Sequence, residues 1–372
     1  MREKAKEKVN AILIFLSTCL TASKELLWLF TNSEYTESET YYPELGRRKN
    51  RIVIFLDQLM NIFKYGEINK FYFLYGFDVK NFRNRKEYVD YAKFKRRRDK
   101  LNKATPGKPI CVLRDKFLFG IVAESLGINT PHNIGLIRNQ KIYIIDDKKE
   151  MDLTNYLVNN DSDVFVKPSD GECGQGIFTL KTANGSIWMD NNKVTINDVL
   201  NKIDISTTYV FQGRIEQHER LKKIFNNSIN TIRLVTVINR KNNNVEVLPP
   251  LLRAGIAGNI VDNWALGGVA IGIDIGTKSL LEFGYYKPSF GTKTTIHPDS
   301  EIGFSGYNIP FLQEAINMSV KFHEHLNQIH SIGWDIAITK DGPCFIEGND
   351  NWEISLVQVC SKGLKEEFND YF

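Results

Sequence analysis

The chain has 372 residues, of which 42% are hydrophobic and 25% charged, and a formal net charge of +4. That composition is ordinary for a soluble globular protein with a sizeable core, and it excludes a polycation. Five cysteines, at 19, 111, 173, 344 and 360, form no CxxC pair, which fits neither a disulfide framework nor a zinc cluster and points to a reducing, cytoplasmic location.

The N-terminus, MREKAKEK followed by AILIFLSTCLTA, has the charged start and short apolar run of a signal peptide. Two glutamates in the charged part, the lack of a small-x-small cleavage site and a run too short to span a bilayer argue against one. LLWLF, beyond Lys24 and Glu25, continues the pattern as an amphipathic or buried helix, so a core helix and no transmembrane span are expected. RIVIFLDQLMNIFKYG (51–66) has apolar residues at helical spacing and stops at Gly66. Residues 67–104 are dense in Tyr, Phe, Lys and Arg, and between 83 and 100 nine Lys/Arg stand against three Asp/Glu. Such a stripe can grip a polyanion; the commoner arrangement buries the aromatics and leaves the cationic heads on a solvated helix face. Residues 1–110 are therefore read as a mainly helical N-terminal region.

From 111 the pattern becomes α+β. DKFLFGIVAESLG (115–127) reads as a helix ending at Gly127, and INTP (128–131) turns the chain. Strands are expected at KIYII (141–145), DVFVK (163–167), TYVFQ (208–212), TIRLVTVI (231–238), VEVLPPLLR (245–253) and VAIGIDI (269–275), with NNN at 242–244 as a hairpin turn. A long amphipathic helix is expected from Pro310 to His330. GWDIAIT and PCFIEGN then flank KDG (340–342), a three-residue hairpin loop with Gly at the left-handed position. In that register Thr339 opposes Pro343 and Asp335 opposes Glu347, while Asn349 shares the Glu347 face. Ile336, Ile338, Cys344 and Ile346 would occupy the opposite, apolar face. Three oxygen-bearing side chains on one patch suit either a hard cation such as Mg²⁺ or a solvated polar sheet face.

VFVKPSDGECGQGIF (164–178) places Lys167 at the end of an apolar strand, before a loop containing Gly171, Gly174 and Gly176. Such a loop lets backbone N–H groups approach phosphates while a lysine supplies point charge. It lacks the GxxxxGK[ST] order, and strand-like IFTL follows it rather than a helix. The alternatives are a flap over a nucleotide or an ordinary hairpin turn.

The order DK…INTP, VFVKP with its glycine loop, VFQG, NTIR and GWD…EGN resembles the ATP-grasp superfamily. IEQHERLKKI…SINTIRLVTV, DNWALGGVAIGID, IGWDIAITKDGPCFIEGN, YGEINKFYFLYGFD and KRRRDKLNK resemble its sugar-transfer-associated branch, so the likeness runs over about residues 50–360. It implies an α+β ATP-grasp fold, two subdomains clamping ATP, over 111–372: a nucleotide flap at about 111–212 and a metal-binding, catalytic part at about 213–372. It implies that Lys116 and Lys167 hold phosphates beneath the loop of Gly171, Gly174 and Gly176, and that Gln212, Gly213 and Ile215 line adenine. By the same likeness Glu219 holds the ribose, Arg233 and Arg253 act on the transferring group, and Asp335, Glu347 and Asn349 bind Mg²⁺, two ions in all. The activity implied is an amide-forming ligase that joins a small-molecule carboxylate to an amine through an acyl phosphate. The family name points to a sugar acid, amino sugar or amino acid in surface polysaccharide biosynthesis. After EGN the chain reads DNWEIS where many such ligases have a proline-glycine turn, so the acceptor pocket is expected to differ.

Other residues carry weaker signals. His323, His325 and His330 do not share a face and form no HExxH. His218 lies near the hinge. Cys173 is expected to be a small loop residue, and Trp264 and Trp352 to serve the core. The competing functions are phosphotransfer onto a hydroxyl, or a nucleotide- or polyanion-binding module that uses residues 83–100. Nucleic acid is not the expected partner.

Overall fold

The computed structural model describes residues 20–32, 38–104, 109–171, 176–257 and 262–372. The stretch 1–19, with Cys19, and the loop residues Cys173 and Gly174 lie outside them. Among the described residues, the chain from 133 onward builds two all-antiparallel sheets with helices between and around them, the α+β architecture expected.

The first sheet runs in the order β3-β2-β1-β8-β4-β5-β6-β7. Its strands are β1 (Asn133–Arg138), β2 (Lys141–Ile144), β3 (Lys149–Asp152), β4 (Ser162–Pro168), β5 (Phe178–Ala183), β6 (Ser186–Met189), β7 (Asn192–Val194) and β8 (Tyr209–Gly213). Val164, Val166, Phe178, Leu180 and Phe211 point to one buried face and pack on the helices Leu153–Asn159 and Ile196–Lys202. Since β4 and β5 are neighbours, with Val166 opposite Phe178, the glycine loop hangs from a hairpin end.

The second sheet has the path β14-β13-β12-β11-β9-β15-β16, with β10 paired to β9. It comprises β9 (Thr231–Ile238), β10 (Val245–Val247), β11 (Leu251–Ala254), β12 (Val269–Asp274), β13 (Ser279–Tyr285), β14 (Lys293–Thr294), β15 (Ser331–Thr339) and β16 (Gly342–Asn349). The single strand expected over 245–253 is two. Pro249 and Pro250 have no N–H to give a ladder, so the strand breaks there, and β11 resumes along the same edge of β9 with the register moved by one residue. The helix expected to reach His330 spans Leu312–His325, and the chain then turns through Leu326 to Ile329 before entering β15.

The N-terminal region forms helices at Arg51–Tyr65 and Tyr91–Asn102, and residues 20–31 are helical. Asn50 caps the first by accepting from Val53 N at 2.9 Å, and Gly66 ends it at φ +86°. Between the two, residues 66–90 fold as successive turns around buried Tyr72, Leu74, Tyr75 and Phe77. This core continues into Val235, Trp352 and Phe372, so the N-terminal region packs directly against the second sheet. Arg98, in the basic segment, is not on a solvated face: it is 1% exposed and donates to the Trp352 backbone carbonyl and to the Asn351 side-chain Oδ1. Asn102 donates to the Ser331 and Asp350 carbonyls at 3.2 and 3.0 Å, which ties this helix to the start of β15 and to the residue that follows β16. No helix among the described residues is long and apolar enough to cross a membrane.

Candidate nucleotide and metal site

The carboxylate hairpin is built differently from its expected register. The turn is Lys340–Asp341, with Thr339 opposite Gly342 and Ile338 opposite Pro343. Gly342 takes φ +119°, which a side chain would resist, so the tight turn depends on it. A bulge between Ile336 and Asp335 then adds one residue to β16, and Asp335 meets Glu347 after all. The bulge also corrects the faces. Cys344 lies opposite Ala337 on the carboxylate side, near enough to interact with Lys167, and Ile346 lines the cavity beside Glu347. The apolar back is instead Trp334, Ile336, Ile338 and Phe345, stacked on Phe322.

Because the sheet is antiparallel, Arg233 on β9 lies directly across from Asp335. Its guanidinium grips that carboxylate twice, Nε to Oδ1 at 2.6 Å and Nη2 to Oδ2 at 3.0 Å. Arg253 adds Nη2 to Oδ2 at 3.1 Å, and is itself held by Thr231 Oγ1 at 2.9 Å and Asp262 Oδ1 at 3.3 Å. Burial alone would raise the Asp335 pKa; Arg233 and Arg253 outweigh it and hold the carboxyl below the usual range. Glu347 goes the other way, raised by burial and by the Asp335 charge beside it. Asn349 Nδ2 bridges them, 3.3 Å from Asp335 Oδ2 and 3.3 Å from Glu347 Oε1. No Lys or Arg is within ion-pair distance of Glu347 among the described residues.

A helix N-terminus and the first sheet each supply one lysine. Asp115 caps the helix Lys116–Ser125 through Phe117 N and Leu118 N, both at 2.9 Å, and so places Lys116 in its first turn. Lys116 N donates to the Ser169 carbonyl at 2.8 Å and its Nζ to the Gly171 carbonyl, fastening the glycine loop to the helix. Gly176, at φ +71°, closes the loop, where a Cβ would stand 3.0 Å from Pro168 Cγ. Lys167 Nζ donates to Gln212 Oε1 at 2.9 Å, while Gln212 Nε2 donates to Asn133 Oδ1 at 3.0 Å. Burial, with Lys116 nearby, lowers the Lys167 pKa to about 8 despite the pull of Glu347.

One cavity lies between the sheets. Lys116, Lys167, Gln212, Gly213, Ile215 and Arg253 line it together with Asp335 and Glu347. Arg233 and Asn349 stand behind it and reach it through Asp335. Glu219 does not line it: its side chain is 76% exposed and pairs with Lys222. His218 caps the same helix by accepting from Arg220 N. Phe165, Ile177 and Ile229 supply apolar walls, and Thr231, Asp262 and Asn263 polar ones, that the sequence did not single out. Trp264 and Trp352 are buried in the core, and His323 is buried between Thr236 and the Ile329 carbonyl.

The chemistry of the cluster fits Mg²⁺. Its two carboxylates offer oxygens only, Asn349 would add Oδ1 with its amide turned, and Glu347 is a buried carboxylate beside a second one with no cation within ion-pair distance. Among the described residues no three His, Cys, Asp or Glu side chains converge anywhere, so the candidate set is two carboxylates and an amide. Asp335 differs from Glu347 in that both its oxygens already accept from arginine.

The pKa of Lys167 has a measurable consequence. A nucleotide phosphate held against Lys167 would gain from its ammonium below about pH 8 and lose that charge above it. The Kd for ADP should therefore rise as pH passes upward through this region, and in Lys167→Met the rise should be absent. An equal pH slope in both proteins would remove Lys167 from the phosphate contacts.

No curated protein matches the sequence. Among solved structures, D-alanine–D-alanine ligase from Helicobacter pylori is 12% identical, with 72% of this chain covered, 60% of that one, and a TM-score of 0.40. VanG D-Ala:D-Ser ligase from Enterococcus faecalis is 11% identical (70% and 61% covered, TM-score 0.41). N5-carboxyaminoimidazole ribonucleotide synthetase from Thermotoga maritima is 14% identical (71% and 49% covered, TM-score 0.36). The chain thus spans between half and three-fifths of the length of these proteins. The model of the sugar-transfer associated ATP-grasp family matches residues 95–370, which carry both sheets and every residue of the cavity, and the chain belongs to that family.

Proposed function

We propose that the protein is a Mg-ATP-dependent ligase that joins a carboxylate to an amine. The observation that carries the reading is the meeting of Lys167 from the first sheet and Lys116 from a helix N-terminus with a carboxylate pair from the second sheet across a single cavity. In this reading residues 111–212 form the nucleotide flap and 213–372 the catalytic part. Lys116 and Lys167 hold the nucleotide phosphates, Gln212 aims Lys167, and the segment Gln212–Ile215 borders the base. Glu347 and Asn349, with Asp335, would hold Mg²⁺, which when bound neutralises phosphate charge. Arg253, anchored by Asp262, stands where charge builds on the transferring phosphoryl group. A carboxylate oxygen of the first substrate attacks the γ-phosphorus and ADP leaves. The amine nitrogen of the second substrate then attacks the acyl carbon, phosphate leaves, and the nitrogen loses a proton. No side chain forms a covalent intermediate, so the catalysis is positioning and charge.

The substrates we infer are a uronic acid, an amino sugar or an amino acid, in the making of a surface polysaccharide. The test is ADP release from ATP with panels of such acids and amines, with mass spectrometry of the products. An acid–amine condensation product and one free phosphate per ADP are expected. A phosphorylated hydroxyl acceptor without free phosphate would replace the ligase by a phosphotransferase.

A further inference from the structure

A second cavity, of about 920 Å³, lies in the N-terminal region and shares no lining residue with the one between the sheets. Its cationic lining is Lys49, Lys64, Arg83, Arg85, Lys86 and Lys365, against one acid, Asp90. Lys49 and Arg85 are spoken for by Asp57, at 2.8 and 2.7 Å. The other four cations have no carboxylate partner among the described residues. Arg83 lies over the rings of Tyr42, Phe82 and Tyr88 at 5.3, 5.1 and 5.8 Å and donates to the Tyr75 carbonyl at 3.4 Å, contacts that leave its charge without a counter-anion. Asp90 does not compensate. Its carboxylate caps the helix Tyr91–Asn102, accepting from Ala92 N and Lys93 N, and from Asn61 Nδ2 at 3.1 Å.

Like charges gathered on a concave wall cost free energy unless an anion answers them. The strain is visible at Lys365, whose pKa falls to about 8 under partial burial and the nearby ammonium groups of Lys93 and Lys64. The cavity has the volume of a small-molecule site, and Asn69, Asn81 and Asn84 add amides to its wall. A concave, half-open pocket of this size suits a compact dianion better than the long track a nucleic-acid strand needs.

We propose that this cavity is a second anion site, separate from the nucleotide site, that binds a phosphate mono- or diphosphate ester. Lys64, Lys86 and Lys365 supply point charges and Arg83 a planar fork. The phosphate can come from a soluble sugar phosphate or from a lipid headgroup, and the experiment separates the two.

The full-length protein, saturated with ADP, is titrated with inorganic pyrophosphate, glucose 1-phosphate, phosphatidic acid vesicles and a single-stranded oligonucleotide. The comparison variant is Lys64→Glu with Lys86→Glu, both exposed side chains whose exchange leaves the core untouched. Pyrophosphate should bind at one site without displacing ADP, and the variant should weaken it about tenfold or more, the scale of one or two charged hydrogen bonds. ADP affinity should be the same in both proteins. Glucose 1-phosphate binding identifies a soluble ester, vesicle binding a headgroup. Absence of pyrophosphate binding, competition with ADP, equal affinity in the variant, or binding of the oligonucleotide alone would overturn the proposal.

Discussion

Replacing Glu347 with Ala should abolish substrate-dependent ADP release, by about 10²–10³-fold or more, without unfolding the protein. Its carboxylate faces the cavity with no cationic partner, and burial and the Asp335 charge both raise its pKa. A carboxyl whose folded pKa is raised costs stability once pH exceeds its ordinary value, because the folded state must then ionise it at a penalty. At neutral pH the Ala variant should therefore melt at or above the wild-type temperature. The extra stabilisation that ADP gains from Mg²⁺ should vanish in the variant, while that from ADP alone remains. Wild-type turnover, or an unchanged Mg²⁺ dependence of ADP binding, would sink Glu347 as the open metal ligand.

That Glu347 and Asp335 lie side by side was legible in the sequence, but for a reason that was only half right. The KDG loop suggested a three-residue turn, whereas the strand makes a tighter one and recovers the missing residue as a bulge at Ile346. Two single-residue shifts cancel at Asp335 and do not cancel at Cys344, which is why the latter changed face. Elements with strong local signals came through, such as the helix framed by Asn50 and Gly66 and the apolar run Thr231–Ile238. What stayed hidden is pairing across long separations. Arg233 and Asp335 are 102 residues apart, and nothing in either segment says that β9 is the strand beside β15. The clamp of Asp262 and Thr231 on Arg253, and the route from Asn133 through Gln212 to Lys167, are likewise products of sheet order rather than of motif.

Sheet order also sets the second large effect. Asp335 and Glu347 look equivalent as a motif, but Asp335 is the counter-ion of two arginines whose side chains are only 15% and 12% exposed. In Asp335→Ala both guanidiniums lose that carboxylate; Arg253 keeps Asp262, and Arg233 keeps no acid within ion-pair distance among the described residues. Breaking a buried pair from one side costs about 3–5 kcal/mol, most of it for the charge left behind. Asp335→Ala should therefore lose both activity and a large part of its stability, in contrast to Glu347→Ala. A double-mutant cycle separates this from loss of packing. In an Arg233→Met background, which removes the stranded charge, Asp335→Ala should cost about 0.5–3 kcal/mol less than it does alone. Strict additivity in urea unfolding would mean that the ion pair does not hold the sheet, and that Asp335 is as free as Glu347 to take a metal.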